Sequence, residues 1–325
     1  MTLPVDGYQL KDISARAFEH PADRAATAAL ASIPGLDQVV RKLIEMGYER
    51  ALRAAYLGAS VRLGPAQLPE IWNLHNQVFR TLDLDEVPDL YITQVPVANA
   101  QTIGSGRPIV VVKSELVRLL RVEERRAVLA HEAGHVLADH VLYFTALNIL
   151  LRMGTSVRLP IVAGLPLMAV RTALLEWSRA AELSCDRAAA LVTRDPEVVC
   201  RTLMIVAAGH AAGDLDLDQF MAQAQDYDSG GTGLDRLSRM LTDLNITHPM
   251  PVRRAQELMA WVRSGEYDRI AGGEYVRRGD EAGVRAEAGD AAAHYADRFR
   301  TVFKDAGDAV GSATEQLADW LRKDR

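Results

Sequence analysis

Two histidines and a glutamate at close spacing carry the first chemical signal: His131-Glu132-Ala133-Gly134-His135. On a helix, positions i and i+4 share one face about a turn apart. Both imidazoles can therefore reach one metal ion. Glu132 projects in a neighbouring direction, within reach of a water at that metal. Zinc takes nitrogen and oxygen ligands in a tetrahedron, and a catalytic zinc keeps one position open for water. It lowers the pKa of that water towards ~7. Glu132 can then take the proton and later pass it to the leaving amine. Five letters with three fixed positions also arise by chance, so the motif needs a helical context. The preceding run, Glu123 to Ala130, is a strong helix former with acidic residues early. It puts the motif inside a helix.

A third protein ligand is required. Its best source is the segment Ser178-Arg179-Ala180-Ala181-Glu182-Leu183-Ser184-Cys185-Asp186-Arg187. Glu182 and Asp186 share a helix face by the same spacing. Glu182 completes the ligand set with His131 and His135. Asp186 accepts the free ring N–H of a histidine ligand, with His131 the first choice, which fixes its tautomer. From spacing alone, an exposed acidic pair bonded to the flanking Arg179 and Arg187 is the competing reading. Cys185 is a conceivable soft ligand, but it stands one residue off the Glu182–Asp186 face.

The elements around these residues follow from apolar periodicity. Residues 1–35 form a polar lead-in with short helical pieces. Leu36, Val39, Val40, Leu43 and Ile44 then recur at helical spacing. A further helix is expected from Pro65 to Leu82. Leu90–Thr93 and Pro108–Lys113 are β-branched runs separated by Gly104-Ser105-Gly106, which predicts a small sheet. Ser114 is expected to cap a short helix. Val122–Leu151 reads as one long helix or two in line, Leu167–Val192 as another. Later helices are expected over Pro196–Ala212, Gly233–Leu244 and Pro251–Ser264, with a glycine-rich loop over Asp226–Gly233. Beyond Gly265 the composition shifts to Ala, Gly, Asp, Glu and Arg. There Tyr295, Phe299, Val302, Phe303, Val310, Leu317, Trp320 and Leu321 fall on one helical stripe. The fold class is mainly α with a small β-sheet (α+β). The expected division is a helical region at 1–84, a metallopeptidase domain at 85–264, and a flexible linker with an amphipathic helix at 265–325.

Bulk properties narrow the functions. In 325 residues, 49% are apolar and 25% charged, enough for a sizeable core. A net charge of -6 gives no overall attraction for nucleic acid. Two cysteines, Cys185 and Cys200, make no disulfide framework, which suits a reducing compartment. The first residues lack a basic start and an apolar run, so no secretory signal is expected. The apolar runs Val141–Leu151 and Leu159–Val170 fall short of the ~18–20 residues a spanning helix needs. They read as buried helical segments. The expected location is cytoplasmic, with peripheral attachment to a membrane as the variant.

Several pieces together resemble the HtpX-like and type I CAAX prenyl protease metallopeptidases, in a soluble or peripheral, bacterial-type form. These are Asn99-Ala100 between two short strands, and Val110–Leu116 running into a helix start. The motif His131 to His135 is followed by His140. Ser178-Arg179 to Glu182 and Asp186-Arg187 match the third-ligand helix. His248-Pro249 with Arg254 matches the late element. The likeness spans about residues 85–260. It implies a gluzincin-type domain, with one helix bearing the two histidines and another bearing Glu182 and Asp186. It also implies that His248 stabilises the oxyanion; without the likeness, a histidine before proline reads equally well as a helix-entry residue. It implies that a peptide binds as an added strand beside Asn99 and Ala100. Met250, Ala255 and Cys185 depart from the family pattern, and so does the lack of clear spanning helices.

The expected activity is that of a zinc metalloendopeptidase holding one zinc per chain and hydrolysing peptides or unfolded proteins. The competing class is a latent or non-catalytic zinc-binding scaffold that acts through its C-terminal helix. That helix is expected to pack on the body, with a lid over the cleft, a self-association helix or a membrane-surface helix as the sharper options.

Overall fold

The computed structural model of the protein describes residues 7–31, 36, 40–41, 44, 47–153, 167–209, 214–229 and 251–280. The elements are α1 (Pro21–Ala31), α2 (Tyr48–Ala59), β1 (Ser60–Arg62), α3 (Pro69–Thr81), β2 (Asp89–Thr93), β3 (Ala100–Ile103) and β4 (Ile109–Lys113). They continue with α4 (Ser114–Leu119), α5 (Val122–Leu137), α6 (Val141–Met153), α7 (Leu167–Thr193), α8 (Pro196–Ala208), α9 (Leu217–Ser229), α10 (Pro251–Arg263) and α11 (Glu266–Ala271). The architecture is mostly helical around a mixed four-stranded sheet of order β1-β2-β4-β3.

Strand β4 lies inside the sheet, parallel to β2 and antiparallel to β3. Its run Ile109-Val110-Val111-Val112 is buried on both faces, which is why it reads as continuous rather than alternating. The alternation reappears in the two cores. Leu90, Ala100, Val110 and Val112 pack with Phe18, Val78, Phe79, Ala133, Leu191 and Trp261. Tyr91, Ile103, Ile109 and Val111 pack with Leu30, Leu147, Leu150 and Trp177 on the other side. Strand β3 is an edge of the sheet, and this edge runs beside α5, which carries the histidine motif, and α6.

The long helix α7 is buried almost all round from Ala173 to Val192. Its small residues let α5 come close. A side chain on Gly134 would meet the Ala188 Cβ at 3.0 Å and the Cys185 Cα at 3.2 Å. The glycine inside the motif therefore sets the distance at which α7 faces the histidines.

Several expectations shift. Residues 122–151 are neither one helix nor two in line: α5 and α6 meet at 104°. Asp139 takes the left-handed conformation, with φ 54°, and turns the chain. The backbone N–H of His140 then bonds back to the His135 carbonyl at 3.0 Å. Ser114 does not cap α4; it is the first helical residue, and Lys113 occupies the cap without a side-chain bond. Helix α3 starts at Pro69, because Gly64 to Gln67 close a bridged turn first. Residues 226–229 continue α9 rather than opening a loop. The chain does not become a linker at Gly265. Tyr267 and Ile270 of α11 are buried, Ile13 bridges Arg277, and Arg278 bonds Asp83 at 3.2 Å. The expected helix at 233–244 and the apolar stripe from Tyr295 to Leu321 lie outside the described residues, as does most of the run 159–170. Among the described residues no single helix is long and apolar enough to cross a membrane. Only the bent α5–α6 pair reaches that length and composition together.

His75 is buried, at 1% exposure. Its Nε2–H donates to the Pro88 carbonyl at 2.8 Å, and burial pushes its pKa down to about 4. Above pH ~6.5 the ring is neutral in both folded and unfolded chains and adds no pH dependence. As pH falls from there towards 4, only the unfolded chain takes the proton, so stability is lost. The parent should lose about 2 kcal/mol between pH 7 and pH 5 that a His75→Gln variant keeps. Urea unfolding at the two pH values measures this, and parallel losses in both proteins would refute it.

Candidate active site

Helix α5 presents His131, Glu132 and His135, and α7 presents Glu182 and Asp186. The start of α5 is held by Glu124, whose carboxylate accepts the Arg121 N–H at 2.7 Å. The two helices cross at the Gly134 contact and bring the five side chains together. His131 Nε2 lies 3.4 Å from Glu182 Oε2, and His135 Nε2 lies 3.5 Å from Glu182 Oε1. Glu182 is fully buried. A tetrahedral ion with ~2.0–2.2 Å bonds separates its ligand atoms by roughly 3.3–3.6 Å. Both nitrogen-to-carboxylate distances fall in that range.

The electrostatics of the two rings differ. Burial drives His135 down to about 3, so its ring is neutral. Burial also works against a proton on His131, but Glu182 and a hydrogen bond to Asp186 outweigh it and hold the ring up to about 9. A metal binding there has to displace that proton. His131 Nδ1 lies 3.1 Å from Asp186 Oδ1. Burial alone would raise the Asp186 carboxyl, but the Arg254 guanidinium beside it holds it below the usual range.

Arg254, on α10, is the element that motif reading underused. Its Nε donates to Asp186 Oδ2 at 2.7 Å, its Nη2 to Asp186 Oδ1 at 2.5 Å, and its Nη1 to Glu182 Oε2 at 2.9 Å. The only sequence signal was its place six residues after His248. Thr102 is a second such residue. From β3 its hydroxyl donates to Glu132 Oε2 at 2.7 Å, which orients the carboxylate of the candidate base. An isolated threonine in a short strand gives no sequence signal for this.

Ala100 begins the edge strand β3, Asn99 immediately precedes it, and both line the cleft. On one side the cleft continues past Phe144, Leu147 and Leu151, and on the other past Leu116, Val199, Leu203 and Val206. His248 lies outside the described residues, so its distance from the others is not part of this geometry. Cys185 Sγ sits 3.2 Å from His135 Nδ1, behind the ring that turns its Nε2 to Glu182. Burial pushes the thiol well above its ordinary range. With His131 and His135 it forms a buried group whose ligand atoms lie within 4.8 Å of one another, but it faces the Nδ1 side of His135. Arg179 pairs with Glu176, and Arg187 lies over the Trp261 ring and reaches the Phe18 and Glu19 carbonyls.

The sequence profile of peptidase family M48 matches residues 65–262, well over half of the chain, and that span contains every described residue of the cluster. The chain belongs to peptidase family M48. It is also 38% identical over 262 residues to the plastoglobule-localised metallopeptidase 48, chloroplastic, of Arabidopsis thaliana. That match covers 79% of this chain and 75% of the relative. No solved structure matches the chain. As an M48 member the protein is a metallopeptidase, a metal-dependent hydrolase acting on peptides or proteins. The match begins at residue 65, so α1 and α2 precede it, although Phe18 and Leu30 belong to the same two cores.

Proposed function

We propose that the protein is a zinc endopeptidase of the HtpX-like branch, holding one zinc per chain through His131 Nε2, His135 Nε2 and the Glu182 carboxylate. The observation that carries this is the approach of both Nε2 atoms to the Glu182 oxygens at 3.4 and 3.5 Å, in a buried site beside an ionised Asp186. Zinc, when bound there, supplies a polarised water and a Lewis-acid contact for the scissile carbonyl.

The rest of the chemistry belongs to the chain. Glu132 receives the proton of the attacking water and returns it to the leaving nitrogen. Thr102 holds that carboxylate on the cleft side of α5. Asp186, clamped by Arg254, accepts the His131 Nδ1–H and keeps the Nε2 lone pair of that ring aimed at Glu182. The β3 edge at Asn99 and Ala100 accepts the substrate as an added strand, so that backbone hydrogen bonds supply affinity with little demand on sequence. His248 takes the oxyanion role on the strength of the family likeness. Residues 85–264 form the peptidase unit in this reading, 1–84 and 265–280 complete its cores, and the apolar stripe from Tyr295 to Leu321 serves a membrane surface or a second copy. The location is cytoplasmic or peripheral to a membrane; the Arabidopsis relative is named for plastoglobules.

The test is metal removal. Metal analysis should find one zinc per chain. Chelator-stripped protein should lose hydrolysis of an unfolded protein and regain it on stoichiometric zinc. A full rate without metal, or no hydrolysis with it, would sink the reading.

A further inference from the structure

The face of His135 turned away from Glu182 is not left to chance. Its Nδ1 lies 3.2 Å from the Nδ1 of His140, and His140 Nε2 lies 3.0 Å from Asp23 Oδ2. Asp23 comes from α1, which precedes the residues matched by the family. It is 1% exposed. Its carboxylate also receives the Ser184 hydroxyl at 2.6 Å and the Thr27 hydroxyl at 3.3 Å. Thr27 in turn accepts the Trp177 indole N–H at 2.9 Å, and Trp177 stands edge-on to the His140 ring. The buried Asp23 and His140 are thus each held by more than one neighbour.

The chain has a direction. The buried Asp23 carboxylate accepts, so the Nε2 of His140 turns its hydrogen towards it. A metal on His135 Nε2 leaves that ring's hydrogen on Nδ1, which faces His140 Nδ1 and Cys185 Sγ, each at 3.2 Å. His140 Nδ1 is the stronger acceptor of the two. Donation to it leaves the His135 Nε2 lone pair bare and aimed at the Glu182 side. That is the tautomer a metal requires.

We propose that Asp23 and His140 are positioning residues of the metal centre: the buried Asp23, His140, His135 chain fixes the tautomer and aim of His135, as Asp186 does for His131. The proposal rests on His135 being a ligand. It makes α1 part of the site, although α1 precedes the family match, and it gives His140 a role that its place one turn beyond the motif does not reveal.

Zinc affinity by chelator competition and the visible spectrum of the cobalt(II)-substituted protein test it in the full chain. Asp23→Asn keeps the shape but can present an N–H₂ to His140 Nε2, which favours the opposite tautomer along the chain. Asp23→Asn and His140→Gln should each weaken zinc binding roughly 10–100-fold and shift the cobalt bands. Ser184→Ala removes a donor to Asp23 and an acceptor for the His20 N–H, but leaves the chain of rings intact. It should keep the parent's affinity and spectrum. If all three variants shift together in proportion to their loss of urea stability, the role is structural only and the proposal fails. It also fails if Asp23→Asn and His140→Gln bind zinc as the parent does. His135→Ala separates the two readings. If it retains full affinity, the ligand assignment itself falls; if it loses zinc while Asp23→Asn and His140→Gln do not, only the relay falls.

Discussion

Glu132→Gln is expected to keep the parent's metal content while hydrolysis of an unfolded protein falls by ~10²–10⁴, the usual contribution of a positioned general base. In transition-state terms that is roughly 3–5 kcal/mol. The substitution is close to isosteric, and the amide oxygen can still accept the Thr102 hydroxyl that now bonds Oε2 at 2.7 Å. The side chain should therefore stay in place. What the amide cannot do is take a proton from water. Because Glu132 is not in the proposed ligand set, zinc should remain, and the loss should fall on kcat more than on KM. Metal analysis beside steady-state kinetics decides the matter. A variant that cleaves as fast as the parent would remove Glu132 from the mechanism, and one that loses its zinc would mean that the carboxylate supports the metal instead.

How far the sequence foretold this site depends on the range of the interaction. The histidines and the Glu182–Asp186 pair were readable because each pair lies within one helical turn, where spacing fixes direction. The buried run at Ile109–Val112 was readable for a similar reason: four apolar residues in a row have to be covered on both faces. Contacts across the chain were not readable. Thr102 meets Glu132 over 30 residues, Arg254 meets Asp186 over 68, and Asp23 meets Ser184 over 161. No local period records such pairings. The bend between α5 and α6 escaped for another reason. The apolar pattern continues across it, and the turn depends on one left-handed residue, Asp139, and on hydrogen bonds back to the end of α5. Gly134 belongs between these cases. A glycine inside a helix costs ~1 kcal/mol against alanine, which marks it as purposeful, but only the contact with Ala188 and Cys185 explains the purpose.

Arg254→Met should destabilise the metal-free protein by about 3–5 kcal/mol, the scale on which breaking one partner of a buried ion pair is felt. Glu182 and Asp186 are almost fully buried, and Arg254 meets both carboxylates with three nitrogens at 2.5–2.9 Å. Its own pKa is raised, because the attraction of the two carboxylates exceeds the burial that would lower it. Methionine matches much of the length and supplies no charge, so the carboxylates lose their main compensation. Zinc changes the comparison. A divalent ion at Glu182 restores positive charge there but not at Asp186, which would keep only the His131 N–H. Added zinc should therefore narrow the gap in urea midpoint between variant and parent without closing it. A metal-free variant as stable as the parent would show that the carboxylates take up protons rather than rely on Arg254. A gap that zinc leaves unchanged would place the metal away from Glu182. The first of these results would also detach α10 from the site, because Arg254 is its contact with both carboxylates.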